Sequence, residues 1–424
     1  MRSRSTAAII GATLLLLGLA LMSWLAIEQR RTRPGVLLAT RAAAAPNALA
    51  VAPSASPAPA AETQLDVAAT PVMLQPGDVE VCGFGVAKAG DTETADALER
   101  RANRHNEDPT LSLLARMRQS ADARTRAAAL MVERKHAALV EMALQSSDAS
   151  IYAFAVHVCN PYRGEDGSVP ADCQWVNIER AASLDADNGA VWLAMADKAL
   201  ERRDDDGVAA ALHRASTATL VKQRQLDFAA LALAALPPDL APTERTPALV
   251  AALGLHGALG VSGHQAARSY CAKPLLADAN RRQTCAALAE LLVGHGHSFI
   301  DLAIGRRIGE SAGWTPERVE RVSARLDALN MALHHTIEKA PGGLVGCAAF
   351  QAAERFHRDV ALHGEPSAAE ALLRRSGVSD VEVLSRYRQR QAERAAAQAS
   401  AADSSASAVT PAPSTDRSPA ASKP

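Results

Sequence analysis

The sequence predicts an all-α fold, either a helical-hairpin array or an irregular α-bundle, behind one N-terminal transmembrane helix. Only 3% of the 424 residues are aromatic, and the chain is rich in alanine, so it is short of the residues that β-sheets prefer. Apolar residues recur at three- and four-residue steps, as in Val319, Val322, Leu326, Leu329 and Leu333. This period is typical of one helix face.

Charge excludes two classes of protein. The chain has 45 Lys and Arg against 46 Asp and Glu, a formal net charge of -1. A nucleic-acid binder needs a basic excess to neutralise phosphates, and a polybasic membrane-surface protein needs one as well. We therefore expect no nucleic-acid partner.

Residues Ala7 to Ile27 predict a transmembrane signal anchor behind a short cytoplasmic end, residues 1–6. The segment has no charged residue and at 1.5 Å per residue spans about 30 Å, the thickness of a bilayer core. Trp24 suits an interfacial anchor. A cleaved signal has an apolar stretch of only about 7–15 residues, although later trimming within residues 42–45 stays open.

Cysteine usage indicates the side of the membrane on which the body lies. Arginines flank the apolar segment on both sides, so the positive-inside rule says little. All cysteines follow the anchor, and none shows the C-x2-C spacing of a zinc or redox site. They are Cys82, Cys159, Cys173, Cys271, Cys285 and Cys347. An even count after an export signal favours disulfides and an oxidising compartment, most simply a bacterial periplasm next to the inner membrane. Reduced, buried cysteines are the alternative.

Two cysteine pairs share one spacing, Cys159 with Cys173 and Cys271 with Cys285. A straight helix would hold these sulfurs about 21 Å apart, so a bridge needs a chain reversal between them. Both intervals contain proline, and the second also contains Asp278, a good helix N-cap. Each bridge would close a loop of about 15 residues and contribute roughly 3 kcal/mol. Cys82 and Cys347 would then pair by elimination.

Composition divides the rest of the chain into three parts. Residues 28–76 are rich in Ala, Pro, Ser and Thr and predict an extended linker. Residues 77–394 predict the α-helical periplasmic domain. Residues 395–424 resemble the linker in composition and predict a disordered tail.

Helix boundaries are marked along the body. Asp108 before Pro109 and Thr315 before Pro316 each place a capping residue ahead of a proline at the first helical position. Gly364 and Gly377 are placed to end helices. Residues 294–313 are rich in glycine and predict either a closely packed helix over residues 299–308 or a flexible binding loop.

Residues 182–218 carry a family resemblance. The segment contains a polar SLDADN turn, Trp192 early in a first helix, the small Ala196, a second turn at residues 204–207 and Ala215 late in a second helix. It resembles a tetratricopeptide-type repeat, with Ala199 where that family usually has an aromatic residue. The resemblance implies stacked helical hairpins with a concave, protein-binding surface. No regular period continues through residues 240–380.

Candidate binding residues follow from this resemblance and from the glycine-rich segment. We expect Trp192, Arg306 and Arg307 to contribute to an interaction surface. The alternative for the arginines is a solvated helix face with an ion pair to Glu310.

No complete catalytic motif is present. The segment from Gly83 to Lys88 lacks the third glycine of a dinucleotide fingerprint, so a turn after Cys82 is favoured. The segment from Gly260 to His264 lacks the final glycine of a nucleophile elbow. Histidines between His295 and His363 offer one more possibility, a metal site built from His297, His334 and His357 across three helices.

The sequence therefore predicts a membrane-anchored periplasmic helical protein that binds a protein partner in the cell envelope and needs no cofactor. A metal-dependent hydrolase acting on envelope material is the alternative. An envelope stress sensor is a minor third reading, because residues 1–6 leave no room for a cytoplasmic output domain.

Overall fold

The computed structural model describes residues 74–75, 77–104, 108–159, 170–260, 263–338, 340–343 and 345–407. The predicted all-α class is confirmed, since helices dominate these residues. The helices are α1 (Thr92–Arg104), α2 (Pro109–Arg118), α3 (Ala123–Val132), α4 (His136–Gln145), α5 (Ala149–Val158), α6 (Ile178–Leu184), α7 (Gly189–Glu201), α8 (Asp205–Ser216), α9 (Phe228–Ala234), α10 (Pro242–Ala258), α11 (Gln265–Tyr270), α12 (Ala279–His295), α13 (Phe299–Ser311), α14 (Pro316–Glu338), α15 (Cys347–His363), α16 (Glu365–Arg375) and α17 (Asp380–Ser407). Short 3-10 turns occupy Ala171–Trp175, Arg224–Asp227 and Lys273–Leu275.

A small hairpin precedes the helices. Strands β1 (Val79–Val81) and β2 (Gly85–Ala87) pair antiparallel, with Glu80 opposite Val86. The predicted turn after Cys82 joins them, and Gly83 there has a φ of +84°. A Cβ at this position would lie 2.6 Å from the backbone nitrogen of Thr243, so the turn requires glycine.

The first hydrophobic core lies among α2 to α6, α9 and α10. Its fully buried side chains include Leu113, Tyr152, Phe154 and Phe228. Alanine fills much of the remaining space, for example at Ala127 to Ala129 on α3. Small side chains on successive turns allow helix backbones to approach closely, and this explains how an aromatic-poor chain packs its core.

The second core contains the segment that resembles a tetratricopeptide-type repeat. Helices α7 and α8 form a hairpin joined at Arg202 to Asp204 and pack against each other along their lengths. Ala196, Leu212 and Ala215 are fully buried between them. Helices α11, α12 and α13 cover this hairpin and complete the core.

The third core lies among α13, α14, α15 and α16. It is built from Leu302, Leu329, Phe356, Val360 and Leu372, with alanines between them. Helix α13 contributes Ile308 to the second core and Leu302 to the third. Two different faces of one helix therefore join two cores.

Helix starts follow the predicted capping signals. Asp108 accepts hydrogen bonds from the backbone nitrogens of Thr110 and Leu111 at the start of α2, and α14 begins at Pro316. Asp278 caps α12. Gly364, with a φ of +83°, ends α15. These predicted boundaries are confirmed. They depend on capping by residues next to each helix end, which the sequence shows directly.

The glycine-rich segment is a closely packed helix. Helix α13 begins with a capping box in which Ser298 and Asp301 bond each other's backbone nitrogens. A Cβ at Gly305 would lie 2.7 Å from the Cβ of Leu292, and one at Gly309 would lie 2.3 Å from the ring of Trp314. Of the two alternatives for this segment, the structure thus selects the packed helix.

Short extended segments lie side by side between the cores. Asn188 forms an isolated parallel β-bridge with Leu220, and Val221 forms another with Gly296. The chain continues this pattern where the backbone nitrogen of Glu365 donates to the carbonyl oxygen of His297 at 2.8 Å. These hydrogen bonds pair backbone N–H and C=O groups that lie outside the helices and would otherwise lack a partner.

Two predicted regions lie at or beyond the described residues. The anchor, Ala7 to Ile27, and the linker up to residue 73 are outside them, and among the helices that are described none has the length and hydropathy to cross a bilayer. Helix α17 continues past residue 394 to Ser407, inside the predicted tail. Its alanine content explains this extension, because alanine has the highest helix propensity. Residues 408–424 lie outside the described residues.

Candidate functional site

The six cysteines form the three pairs that the sequence predicts. The Sγ–Sγ distances are 2.01 Å for Cys159–Cys173, 1.95 Å for Cys271–Cys285 and 2.08 Å for Cys82–Cys347. In the short pairs a helix C-terminus is joined to a later element, a 3-10 turn for Cys173 and α12 for Cys285. The long pair attaches the hairpin to the start of α15.

The turn held by Cys173 exposes a tryptophan. The side chain of Cys173 is buried, but Trp175, two residues later in the same 3-10 turn, is 64% exposed. It is the most exposed aromatic side chain of the described residues. Leu144 lies on α4, the helix against which this turn packs, and is 37% exposed. Two apolar side chains are therefore exposed on elements that pack against each other at this end of the first core.

Hydrogen bonds hold the Trp175 turn on both sides. Before the tryptophan, the backbone nitrogen of Cys173 donates to the carbonyl oxygen of Pro170 at 2.9 Å. After it, the backbone nitrogen of Asn177 donates to the hydroxyl oxygen of the fully buried Tyr152 at 3.1 Å. Arg180 stacks over the Tyr152 ring at 5.1 Å and donates to the carbonyl oxygen of Leu144. The indole is thus presented on a fixed backbone.

Acidic side chains flank the exposed indole. Asp172 lies in the same turn and Glu179 in the first turn of α6, and both are exposed. No ion pair joins either of them to another described residue. The exposed indole therefore has an exposed carboxylate on each side of it along the chain.

The residues predicted to form an interaction surface lie elsewhere. Trp192 packs into the second core, and its indole nitrogen donates to the carbonyl oxygen of Ala186 at 2.7 Å. Arg306 pairs with Glu310 at 3.3 Å, as the solvated-face alternative predicts, and Arg307 is exposed on the same helix. Trp192 lies on α7 and the arginines lie on α13, so they belong to separate helices.

Two histidines meet between α10 and α15. The rings of His256 and His357 lie edge to face, with their centroids 5.6 Å apart. Both Nδ1 atoms are buried and have no hydrogen-bond partner among the described residues. Burial lowers the pKa of His256, and burial together with the neighbouring His256 lowers the pKa of His357 to about 4. Both rings are therefore neutral near pH 7.

The predicted metal ligands occupy three different surroundings. Burial and the nearby Lys222 lower the pKa of His297 to about 4. His334 is exposed on α14, and His357 lies beside His256. Within the described ranges, no three His, Cys, Asp or Glu side chains come close enough to hold a metal ion.

A buried histidine–aspartate pair joins the residue before α11 to the first turn of α13. The Nε2 atom of His264 lies 2.8 Å from Oδ1 of Asp301, and both side chains are almost completely buried. The other carboxylate oxygen of Asp301 accepts from the backbone nitrogen of Ser298. Asp197 accepts from the backbone nitrogen of Ala266 at 2.7 Å, and burial raises its pKa. These hydrogen bonds connect the ends of different helices.

A second polar cluster lies beside the extended segments. The Nζ atom of Lys222 lies 2.9 Å from Asp227 and donates to the carbonyl oxygen of Ala361, also at 2.9 Å. Burial raises the pKa of Asp227 and of Glu365. The cavity between these residues has a volume of about 10 Å³, too small for a ligand larger than water. The cluster links the cores and has no room for a substrate.

Sequence reasoning missed Trp175 and the His264–Asp301 pair. No sequence pattern marks Trp175, which lies two residues after Cys173 in a short 3-10 turn. No local signal joins His264 to Asp301, since these residues lie 37 positions apart and meet only through the tertiary packing. Residues 261–262 of the glycine-bearing segment before His264 are outside the described residues.

The fold and this surface define a disulfide-linked all-α protein with an exposed tryptophan on a fixed turn. No family model matches the chain, and no match was found among curated proteins or solved structures.

Proposed function

We propose that the protein is a membrane-anchored helical interaction module that binds a protein partner in the cell envelope through the surface around Trp175. The exposed indole is the observation that carries this proposal. Tryptophan is the residue type most enriched among binding hot spots, and a rigid support lowers the entropy lost on binding. The α7–α8 hairpin supports the helical-hairpin architecture proposed for the body.

The chemistry of the surface indicates the chemistry of the partner. An exposed indole fits an apolar pocket, and the exposed Asp172 and Glu179, which lie on either side of it along the chain, favour basic residues around that pocket. We therefore propose a protein partner with an apolar pocket and a basic rim.

The location is also a proposal. It is supported by the apolar segment Ala7 to Ile27 and by three disulfides in one chain, because disulfides persist in oxidising compartments. In this arrangement the anchor keeps the body near the inner membrane on its periplasmic side.

Site-specific photo-cross-linking in intact cells tests the proposal. A photoreactive side chain at Gln174, next to the indole, should give a discrete cross-linked product with an envelope protein. Trp175→Ala should reduce this product about tenfold, as expected for loss of a hot-spot side chain. Leu111→Ala is the matched control, because Leu111 is also 64% exposed but lies on α2.

Two results would count against the interaction module. One is a cross-linked product that Trp175→Ala leaves unchanged, or no product at all from a folded, anchored chain. The other is stoichiometric zinc in the purified body, which would favour the metal-dependent hydrolase.

A further inference from the structure

A second surface feature lies towards the C-terminal end of the described chain. A groove of about 450 Å³ opens among α14, α15 and α16. This volume is that of a small-molecule site. Its lining consists of three arginines, one aspartate, two hydroxyl side chains and two apolar side chains, namely Arg355, Arg358, Arg375, Asp359, Thr336, Ser376, Ala352 and Leu372.

The lining carries more positive than negative charge. Arg375 lies 3.9 Å from Asp359, and Arg358 pairs with Glu354, a carboxylate that Arg245 also binds. Arg355 is exposed and has no hydrogen bond or ion pair with any described residue. The lining has three guanidinium groups and one carboxylate, that of Asp359, so it carries an excess of two positive charges.

Hydrogen-bond donors in the groove come from the arginines. The hydroxyls of Thr336 and Ser376 already donate to the carbonyl oxygens of Ala332 and Leu372, at 2.8 Å and 3.0 Å. Guanidinium groups donate in a planar fork that matches phosphate oxygens. The floor is apolar, since Ala352 and Leu372 are each only 8% exposed.

We propose that this groove binds a ligand that carries at least two negative charges on phosphate, with its organic part on the Ala352 and Leu372 floor. Two phosphate charges neutralise the excess charge of the lining, and the apolar floor distinguishes the groove from a plain basic surface. The ligand is a soluble diphosphate or the headgroup of an anionic lipid that carries two phosphates. This site is separate from the surface around Trp175.

Binding of inorganic pyrophosphate to the purified body, measured by calorimetry, tests the proposal. We expect Arg355→Ala and Arg375→Ala each to weaken binding about tenfold, a loss of about 1.4 kcal/mol. Arg355→Lys should also weaken binding, because it keeps the charge but loses the fork. Arg374→Ala is the matched control: Arg374 neighbours Arg375 on α16 and is exposed, but does not line the groove.

The outcomes separate the alternatives. Binding that Arg375→Ala weakens and Arg374→Ala leaves within about twofold supports the groove. Equal weakening by both variants overturns it, because net charge alone would then explain binding. Citrate binding as tightly as pyrophosphate overturns the assignment to phosphate.

The source of the phosphate is decided with vesicles. If pyrophosphate does not bind but cardiolipin vesicles do, with the same dependence on Arg375, the ligand is a lipid headgroup with two phosphates. Failure of both probes overturns the proposal. Trp175→Ala should leave pyrophosphate binding unchanged, so failure here is independent of the proposed protein partner.

Discussion

Two tryptophans have opposite roles at the scale of single residues. Trp192 is partly buried, its indole nitrogen bonds the carbonyl oxygen of Ala186, and Arg214 lies 5.9 Å from its ring. Trp175 is largely exposed on its 3-10 turn. The tryptophan that a repeat-like pattern singles out thus packs the hairpin, whereas the one without a pattern is exposed.

His357 should make the protein sensitive to acid. Its pKa is about 4 in the folded chain and about 6.5 when unfolded. Between these values the unfolded chain binds more protons, so the free energy of unfolding falls as the pH falls from 6.5 to 4. His297 has a similarly lowered pKa and acts in the same direction.

Chemical denaturation of His357→Leu at several pH values measures this effect. We expect the variant to lose part of the decrease in stability between pH 6.5 and 4 and to keep the part due to His297. His213→Leu, at an exposed position on α8, is the control. An unchanged pH profile in His357→Leu would contradict the assignment.

At the scale of elements, the packing of helix α13 depends on two glycines, which have no side chain. Gly305 lies against Leu292 and the backbone nitrogen of Val293, and Gly309 lies against Trp314. This close approach lets α13 pack on α12 and still reach the third core. Glycine in a helix interior costs about 1 kcal/mol relative to alanine, and the packing offsets that cost.

Replacement of glycine by alanine should have opposite effects on stability at a position on α13 and a position on α12. Gly305→Ala places a Cβ 2.7 Å from Leu292 and should lower the free energy of unfolding by about 1–3 kcal/mol through overpacking. Gly294→Ala, on α12, meets nothing within 4 Å and should raise it by about 0.5–1 kcal/mol. Urea denaturation of both variants measures the difference, and a stabilised Gly305→Ala would refute close packing.

At the scale of the whole molecule, disulfides connect parts of the chain that local contacts leave apart. The Cys82–Cys347 bridge joins residues 265 positions apart. Backbone bonds from Glu80 to Gly342 and from Cys82 to Val345 accompany it. The hairpin is held on the helical body by this group of contacts.

Thiol labelling in intact cells should find no reactive cysteine. All six cysteines of the chain should react with an alkylating reagent only after denaturation and reduction. A variant that lacks residues 7–27 and remains in the cytoplasm is the control, and its thiols should react without reduction. Free thiols at Cys159, Cys173, Cys271 and Cys285 in the anchored chain would contradict both the pairing and the proposed location.

Much of the fold follows from local chemistry and was predictable. Asp108, Asp278 and Pro316 mark helix starts because capping depends on neighbouring residues alone. The cysteine spacings predict two bridges because a reversal lies within each interval. The candidate binding surface was not predictable in the same way, since Trp192 and Trp175 have the same side chain and differ only in what packs over them.

By itself the sequence determined the helical class, the main helix starts and the cysteine pairs, because each follows from interactions over a few residues or from elimination. Tertiary structure alone decided which tryptophan is exposed, that His264 meets Asp301, and that Arg355, Arg358 and Arg375 line one groove. These depend on how the helices pack against one another, and the short-range patterns of an alanine-rich sequence do not specify that packing.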